Sequence, residues 1–127
     1  MSNNIFLTKP IAYLTINDFD SNGNIVNPKL KNGKVIIMIQ ANFCGYCTIA
    51  KPAFQELANQ NQSNFICVTI QGDGKETGEK ELNDMIKKID PTFRGFPSYV
   101  GYKNGKYVKS HSGGRNKENL VTFAQSF

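Results

Sequence analysis

Cys44 and Cys47 are the residues whose type and spacing could do chemistry. Two thiols three positions apart can close to a disulfide and open again, passing two electrons. They stand where an apolar run, Val35 to Ile39, gives way to residues of helical periodicity. Positions i and i+3 face each other on a helical turn, so the two sulfurs can bond. A helix N-terminus presents unpaired N–H groups and a partial positive charge, which favour a thiolate there. Only the thiolate attacks a disulfide. Cys44, at the helix start, is expected to be the more exposed, attacking sulfur, and Cys47, further in, to resolve the mixed disulfide. Gly45 keeps the approach open, and Tyr46 sets a polar, uncharged group beside the sulfurs. Two other readings compete. Structural zinc usually needs four ligands in paired spacings, and only Cys67 and His111 remain, far apart in sequence. Two thiols at a helix start can also simply be inert.

The elements around the pair follow from periodicity. Ile11 to Leu14 predicts a short strand, and Asp18 to Asn32, rich in Asn, Asp and Gly, predicts turns and loop. Val35 to Ile39 is a continuous, largely β-branched run, the signature of a buried central strand. After the cysteines, Ile49, Ala50, Ala53, Phe54, Leu57 and Ala58 fall on one apolar helical face. Phe65 to Ile70 predicts a second buried strand, and Gln71 to Gly78 a polar connection. Leu82, Met85, Ile86 and Ile89 mark another amphipathic helix, ended by Asp90 and Pro91. Ser98 to Lys103 and Lys106 to Ser110 flank Asn104-Gly105, a strong hairpin signal. Gly113-Gly114 breaks the chain. Leu120, Val121 and Ala124 give a closing helix, with Phe123 and Phe127 also available for packing. Strands alternating with helices, then a hairpin, predict an α/β fold with a mixed sheet flanked by helices.

Composition narrows the class. The 127 residues fit one domain, residues 1–127, with Met1 to Pro10 as a loose N-terminal segment. An aromatic content of 11% exceeds what solvated chains carry. No run approaches the ~18 apolar residues of a spanning helix, so no membrane partner is expected. Three cysteines are too few for a disulfide scaffold. The net charge of +5 is spread over scattered lysines rather than a basic run, so no nucleic-acid partner is expected. The short apolar stretch Ile5 to Leu7 is stopped by Lys9 and Pro10, short of a signal peptide, which predicts a reducing, cytoplasmic compartment. Abundant Asn, Lys and Ile fit an AT-rich genome, such as a viral or parasitic one.

Three separated motifs resemble the thioredoxin family. Ala41 to Pro52 (ANFCGYCTIAKP) resembles its active-site strand end, redox motif and helix, with Pro52 at the place of the family's helix-kinking proline. Arg94 to Ser98 (RGFPS) is similar to its cis-proline loop. The hairpin and Gly113-Gly114-Arg115 follow at the family's distances. The glycine motifs are especially similar to those of protein disulfide isomerase catalytic domains. The resemblance runs from about Ile11 to the C-terminus and implies a three-layer thioredoxin-like fold.

It also implies a site. Pro97, lacking an N–H, leaves the sulfurs without a competing donor. The Phe96 backbone can then pair with an extended client peptide by strand addition. Phe43, where the family commonly has tryptophan, would form an apolar rim with Phe96 and Gly113. Arg115 would tune Cys47 electrostatically. The sequence departs from the family at Met38, six positions before Cys44, where a buried acid normally serves Cys47. Cys67 falls near the place of that acid's lysine partner and reads as a small buried hydrophobe, with a third redox cysteine under the active site as the alternative. His111 has no assigned role. The resemblance implies a monomeric protein thiol–disulfide oxidoreductase without metal or organic cofactor, most readily a reductase. Its partners would be client proteins with disulfides or thiols, and a dithiol reductase or oxidase exchanging electrons with it. Isomerase or oxidase activity, and a redox-inactive binding or structural module, are the alternatives.

Overall fold

A computed structural model describes residues 6–127. Its frame is a five-stranded sheet of β1 (Ala12–Tyr13), β2 (Lys34–Gln40), β3 (Ile66–Gln71), β4 (Ser98–Lys103) and β5 (Lys106–Ser110). The order across the sheet is β1-β3-β2-β4-β5. β1, β3 and β2 run parallel, whereas β4 and β5 are antiparallel to their neighbours. Helices α1 (Gly45–Gln60), α2 (Glu79–Asn83), α3 (Ile86–Ile89) and α4 (Lys117–Gln125) complete the α/β thioredoxin-like layering.

The period of two along β2 builds both cores. Val35, Ile37 and Ile39 pack on one side with Leu82, Ile86 and Ile89 of α2 and α3. Ile36 and Met38 pack on the other with Phe54 and Leu57 of α1 and Leu120 and Phe123 of α4. β2 is therefore buried on both faces, as its unbroken apolar run requires. The hairpin turns at Asn104 (φ 53°) and Gly105 (φ 83°), two left-handed residues whose twist matches the strands.

Three expectations are corrected. The helix expected over Leu82 to Ile89 is two short helices, interrupted at Asp84 and Met85. Asn83 and Asp84 are weak helix formers whose side chains compete with the backbone, and the apolar face survives the break. Asp18–Asn32 is turns and loop as expected, and it also contributes Phe19, Ile25 and Leu30 to the core, closed by a Phe19–Ile25 bridge. Ile49, expected on the buried face of α1, is 77% exposed. At ~100° per residue it lies about 140° from the centre of the stripe that α1 buries, Cys47, Ala50, Lys51, Phe54, Leu57 and Ala58. Met1–Ile5 of the segment expected to be loose lies outside the described residues, but Leu7 and Thr8 are docked. The Leu7 N–H donates to the Tyr13 hydroxyl at 3.0 Å and the Thr8 N–H to Gln55 Oε1 at 2.8 Å.

Tyr102 ties the hairpin to the loop layer. Fully buried on β4, its hydroxyl lies 2.7 Å from the Gly23 carbonyl and 2.9 Å from the Ile89 carbonyl. Tyr102→Phe leaves both carbonyls without this donor and is expected to cost about 1–3 kcal/mol, lowering Tm by about 3–10 °C. A melting curve superimposable on the parent's would show that neither bond matters.

Candidate active site

β2 ends at Gln40, and four residues later Cys44 caps α1. Cys44 is extended (φ −92°, ψ 111°), and its Sγ accepts the Cys47 N–H at 3.1 Å. A sulfur here takes the place of the usual N-cap oxygen, satisfying one of the helix's orphan donors. The same bond supplies a donor that a Cys44 thiolate would keep. As a thiol, Cys44 donates to the Phe96 carbonyl at 3.5 Å. Cys44 is 9% exposed and Cys47 not at all, so the outer and inner positions follow the order of the two cysteines along the helix. Both are reduced.

The cis-proline loop closes over the pair. The Phe96–Pro97 peptide is cis, as is Lys9–Pro10. Ala41, Cys44 and Cys47 form a small apolar cluster against Phe96. The Phe96 ring meets Phe43 edge-on at 5.7 Å and Phe93 at 5.2 Å. Gly72 makes room for it, since a Cβ there would run into the ring. Phe43 (73% exposed), Tyr46 (69%) and Ile49 form an apolar surface beside the sulfurs. Gly45 is exposed among them.

Arg115 and Gly113 make contacts that their spacing did not suggest. The Arg115 guanidinium sits 5.7 Å over the Tyr46 ring, a cation–π contact at the site's edge. Gly113 abuts the His111 ring and lines a separate depression with Asn119 and Phe123. His111 is wedged between Tyr99 and Phe123, its Nε2 2.7 Å from the Gly114 carbonyl.

Lys51 was not singled out by its residue type, yet it is wholly buried on the stripe of α1 that carries Cys47. Its Nζ donates to Asn42 Oδ1 at 3.4 Å. The Asn42 N–H in turn is held by both carboxylate oxygens of Asp73, each at 3.0 Å. Burial pushes the Cys47 thiol up to about 12, and the hydrogen bond to Cys44 adds to this; the Ala41 backbone and the Lys51 charge pull against it. Burial holds the Lys51 amine below its ordinary value, while the Cys47, Asp73 and Cys44 charges oppose that. The signal was present in the spacing: Lys51 is four residues from Cys47 and three from Phe54, on one helical face.

Met38 is fully buried in the α1-side core, with Thr69 rather than Cys67 as its partner across β3. Cys67 pairs in register with Ile36, is buried in the same core, and has its thiol pushed up to about 12 by burial. Among the described residues, no three His, Cys, Asp or Glu side chains gather as a metal site, and no helix is long and apolar enough to cross a membrane.

Comparison with known proteins agrees with this architecture. The thioredoxin family model matches residues 11–126. The chain is 47% identical over 130 residues to thioredoxin-like protein 453L of Invertebrate iridescent virus 6, covering 93% of this chain and 94% of that one. It is 23% identical over 117 residues to protein disulfide-isomerase 2-3 of Arabidopsis thaliana, covering 92% of this chain but only 23% of the plant protein. Among solved structures, the first two thioredoxin domains of Saccharomyces cerevisiae Eps1p share the fold at a TM-score of 0.59 and 23% identity, covering 78% of this chain and 38% of that one.

Proposed function

Because the chain belongs to the thioredoxin family, we propose that it is a protein thiol–disulfide oxidoreductase working through Cys44 and Cys47, and that it chiefly reduces protein disulfides. The observation that carries this reading is the placement of Cys44, where one sulfur meets a helix N–H at 3.1 Å and the Phe96 carbonyl at 3.5 Å. Cys44 is the outer of the two sulfurs, and its thiolate is the form that attacks. An extended client laid along Phe96 brings its own disulfide to Cys44. The thiolate attacks one client sulfur, the client S–S bond breaks, and a mixed disulfide forms. Cys47 then attacks Cys44 Sγ, closing the Cys44–Cys47 disulfide and releasing the second client thiol. An external dithiol restores the pair. The exposed Phe43, Tyr46 and Ile49 suit an unfolded or extended client with apolar side chains.

Direction follows from which state of the pair is favoured. A strongly oxidising pair has a stabilised reduced form. At neutral pH an inner thiol pushed up to about 12 stays protonated, so Cys47 adds nothing to the stability of the reduced form and the potential is set at Cys44. Equilibrating the pair with glutathione measures its potential. A value near thioredoxin's, about −270 mV, is expected. A value near about −180 mV, as in protein disulfide isomerase, would instead assign oxidase or isomerase chemistry.

A further inference from the structure

The cis-proline loop is also one side of a groove of about 640 Å³. Arg94, Phe96 and Pro97 line it from that loop, and Arg115 lines it from the segment after β5. The groove reaches the sulfurs through Phe96, whose carbonyl lies 3.5 Å from Cys44 Sγ. Its charges are unequal. Both arginines are exposed, and among the described residues neither pairs with a carboxylate. Arg115 is steadied 5.7 Å over the ring of Tyr46, the residue just before Cys47. The one carboxylate that lines the groove is Asp90, which is 1% exposed. Its Oδ1 accepts the Thr92 N–H at 3.1 Å, the Thr92 hydroxyl at 3.0 Å and the Ser110 hydroxyl at 2.6 Å. Those donors disperse its charge within the wall, so the face open to a ligand is cationic. A cleft lined by one sign of charge concentrates ligands of the other.

We propose that this groove selects clients by charge: it takes an extended client segment with acidic side chains next to its disulfide cysteine, and Arg94 and Arg115 are the specificity-determining residues. This rests on the disulfide-exchange reading of the pair. A client sulfur poised at Cys44 lies level with Phe96, and Arg94 stands two residues before Phe96. An extended strand rises about 3.3 Å per residue, so a client residue one or two positions from the cysteine comes within reach of an arginine side chain. A guanidinium meets a carboxylate with two parallel N–H donors, which fixes the side chain as well as attracting it. A peptide suits the site better than a small anion. The groove is far larger than one carboxylate, the Phe96 backbone offers a strand to pair with, and Phe43, Tyr46 and Ile49 expose apolar surface beside the sulfurs.

The test uses two capped peptides that differ only in having Glu or Gln on both sides of a single cysteine, each joined by a disulfide to neutral 2-thiopyridine. The Cys44 thiolate of the reduced chain attacks the peptide sulfur, the S–S bond breaks and thiopyridone leaves, giving the rate. At low salt the Glu peptide should react at least about threefold faster than the Gln peptide. Arg94→Gln with Arg115→Gln should remove most of that advantage. Lys29→Gln with Lys31→Gln removes the same two positive charges at exposed positions that do not line the groove, and should keep most of it. A smaller advantage in the parent, one that survives loss of the arginines, or one lost equally with the lysines overturns the assignment. The 2-thiopyridyl disulfides of mercaptosuccinate and mercaptoethanol complete the series. An equal advantage for mercaptosuccinate would give the groove to small anionic thiols and overturn the peptide assignment. A parent chain that attacks the Gln peptide no faster than glutathione does would overturn the oxidoreductase reading instead.

Discussion

Cys44→Ser leaves insulin reduction by dithiothreitol at the rate of the reductant alone. The expected loss is complete, because an oxygen at this position cannot form the mixed disulfide through which both electrons pass. Serine also keeps the fold. The Cys44 side chain is the N-cap of α1, accepting the Cys47 N–H at 3.1 Å, and serine is among the preferred residues at such a position. The variant should therefore melt close to the parent while its turbidity trace follows the enzyme-free control. Cys47→Ser differs in kind: Cys44 can still attack, so the client should accumulate as a covalent adduct visible on a non-reducing gel. If Cys44→Ser retains the parent's activity, the catalytic reading of the pair fails. A parent chain that never outpaces dithiothreitol would point to the binding-module alternative.

The second large effect is on stability. Phe54 is fully buried on α1, 5.8 Å from the Tyr99 ring, within the core that α1 and α4 share with Ile36 and Met38. Phe54→Ala removes a ring that its close-packed neighbours cannot fully replace, leaving a cavity. The expected cost is about 3–5 kcal/mol. For a chain of this length that lowers Tm by about 10–20 °C. Thermal unfolding followed by circular dichroism checks it. A drop of under about 5 °C would mean the core closes over the gap, as few cores do. The substitution also tests how α1 is held. That helix is capped by Cys44 and carries Cys47 on its first turn, so a loosened α1 should also slow insulin reduction.

The cysteine pair was legible in the sequence because its geometry is local. Two thiols at i and i+3, at the junction of a β-branched run and a helical stripe, define their own geometry whatever surrounds them. The central strands were legible for a related reason, since Val35 to Ile39 can be satisfied only by burial on both faces. Asn104-Gly105 fixed its turn through left-handed backbone, again a local property. The Leu82–Ile89 region was read with the right face but the wrong continuity, because periodicity survives a break that two poor helix formers impose.

What lay beyond reach depended on where the helix met the sheet. Ile49 and Lys51 are two residues apart, and hydropathy puts the isoleucine inside and the lysine out. The structure reverses them, because Cys47, Phe54 and Leu57 set the rotation of α1 and Lys51 falls on their side. The contact of Arg115 with the Tyr46 ring was likewise beyond reach, because it joins the segment after β5 to the first turn of α1. The sequence by itself determined the dithiol, the order of its two sulfurs and the α/β frame, since each follows from spacing along a single element. Only the tertiary structure decided which charge shares the dry interior with Cys47, because desolvation and Coulomb forces act between residues that packing, not sequence, brings together.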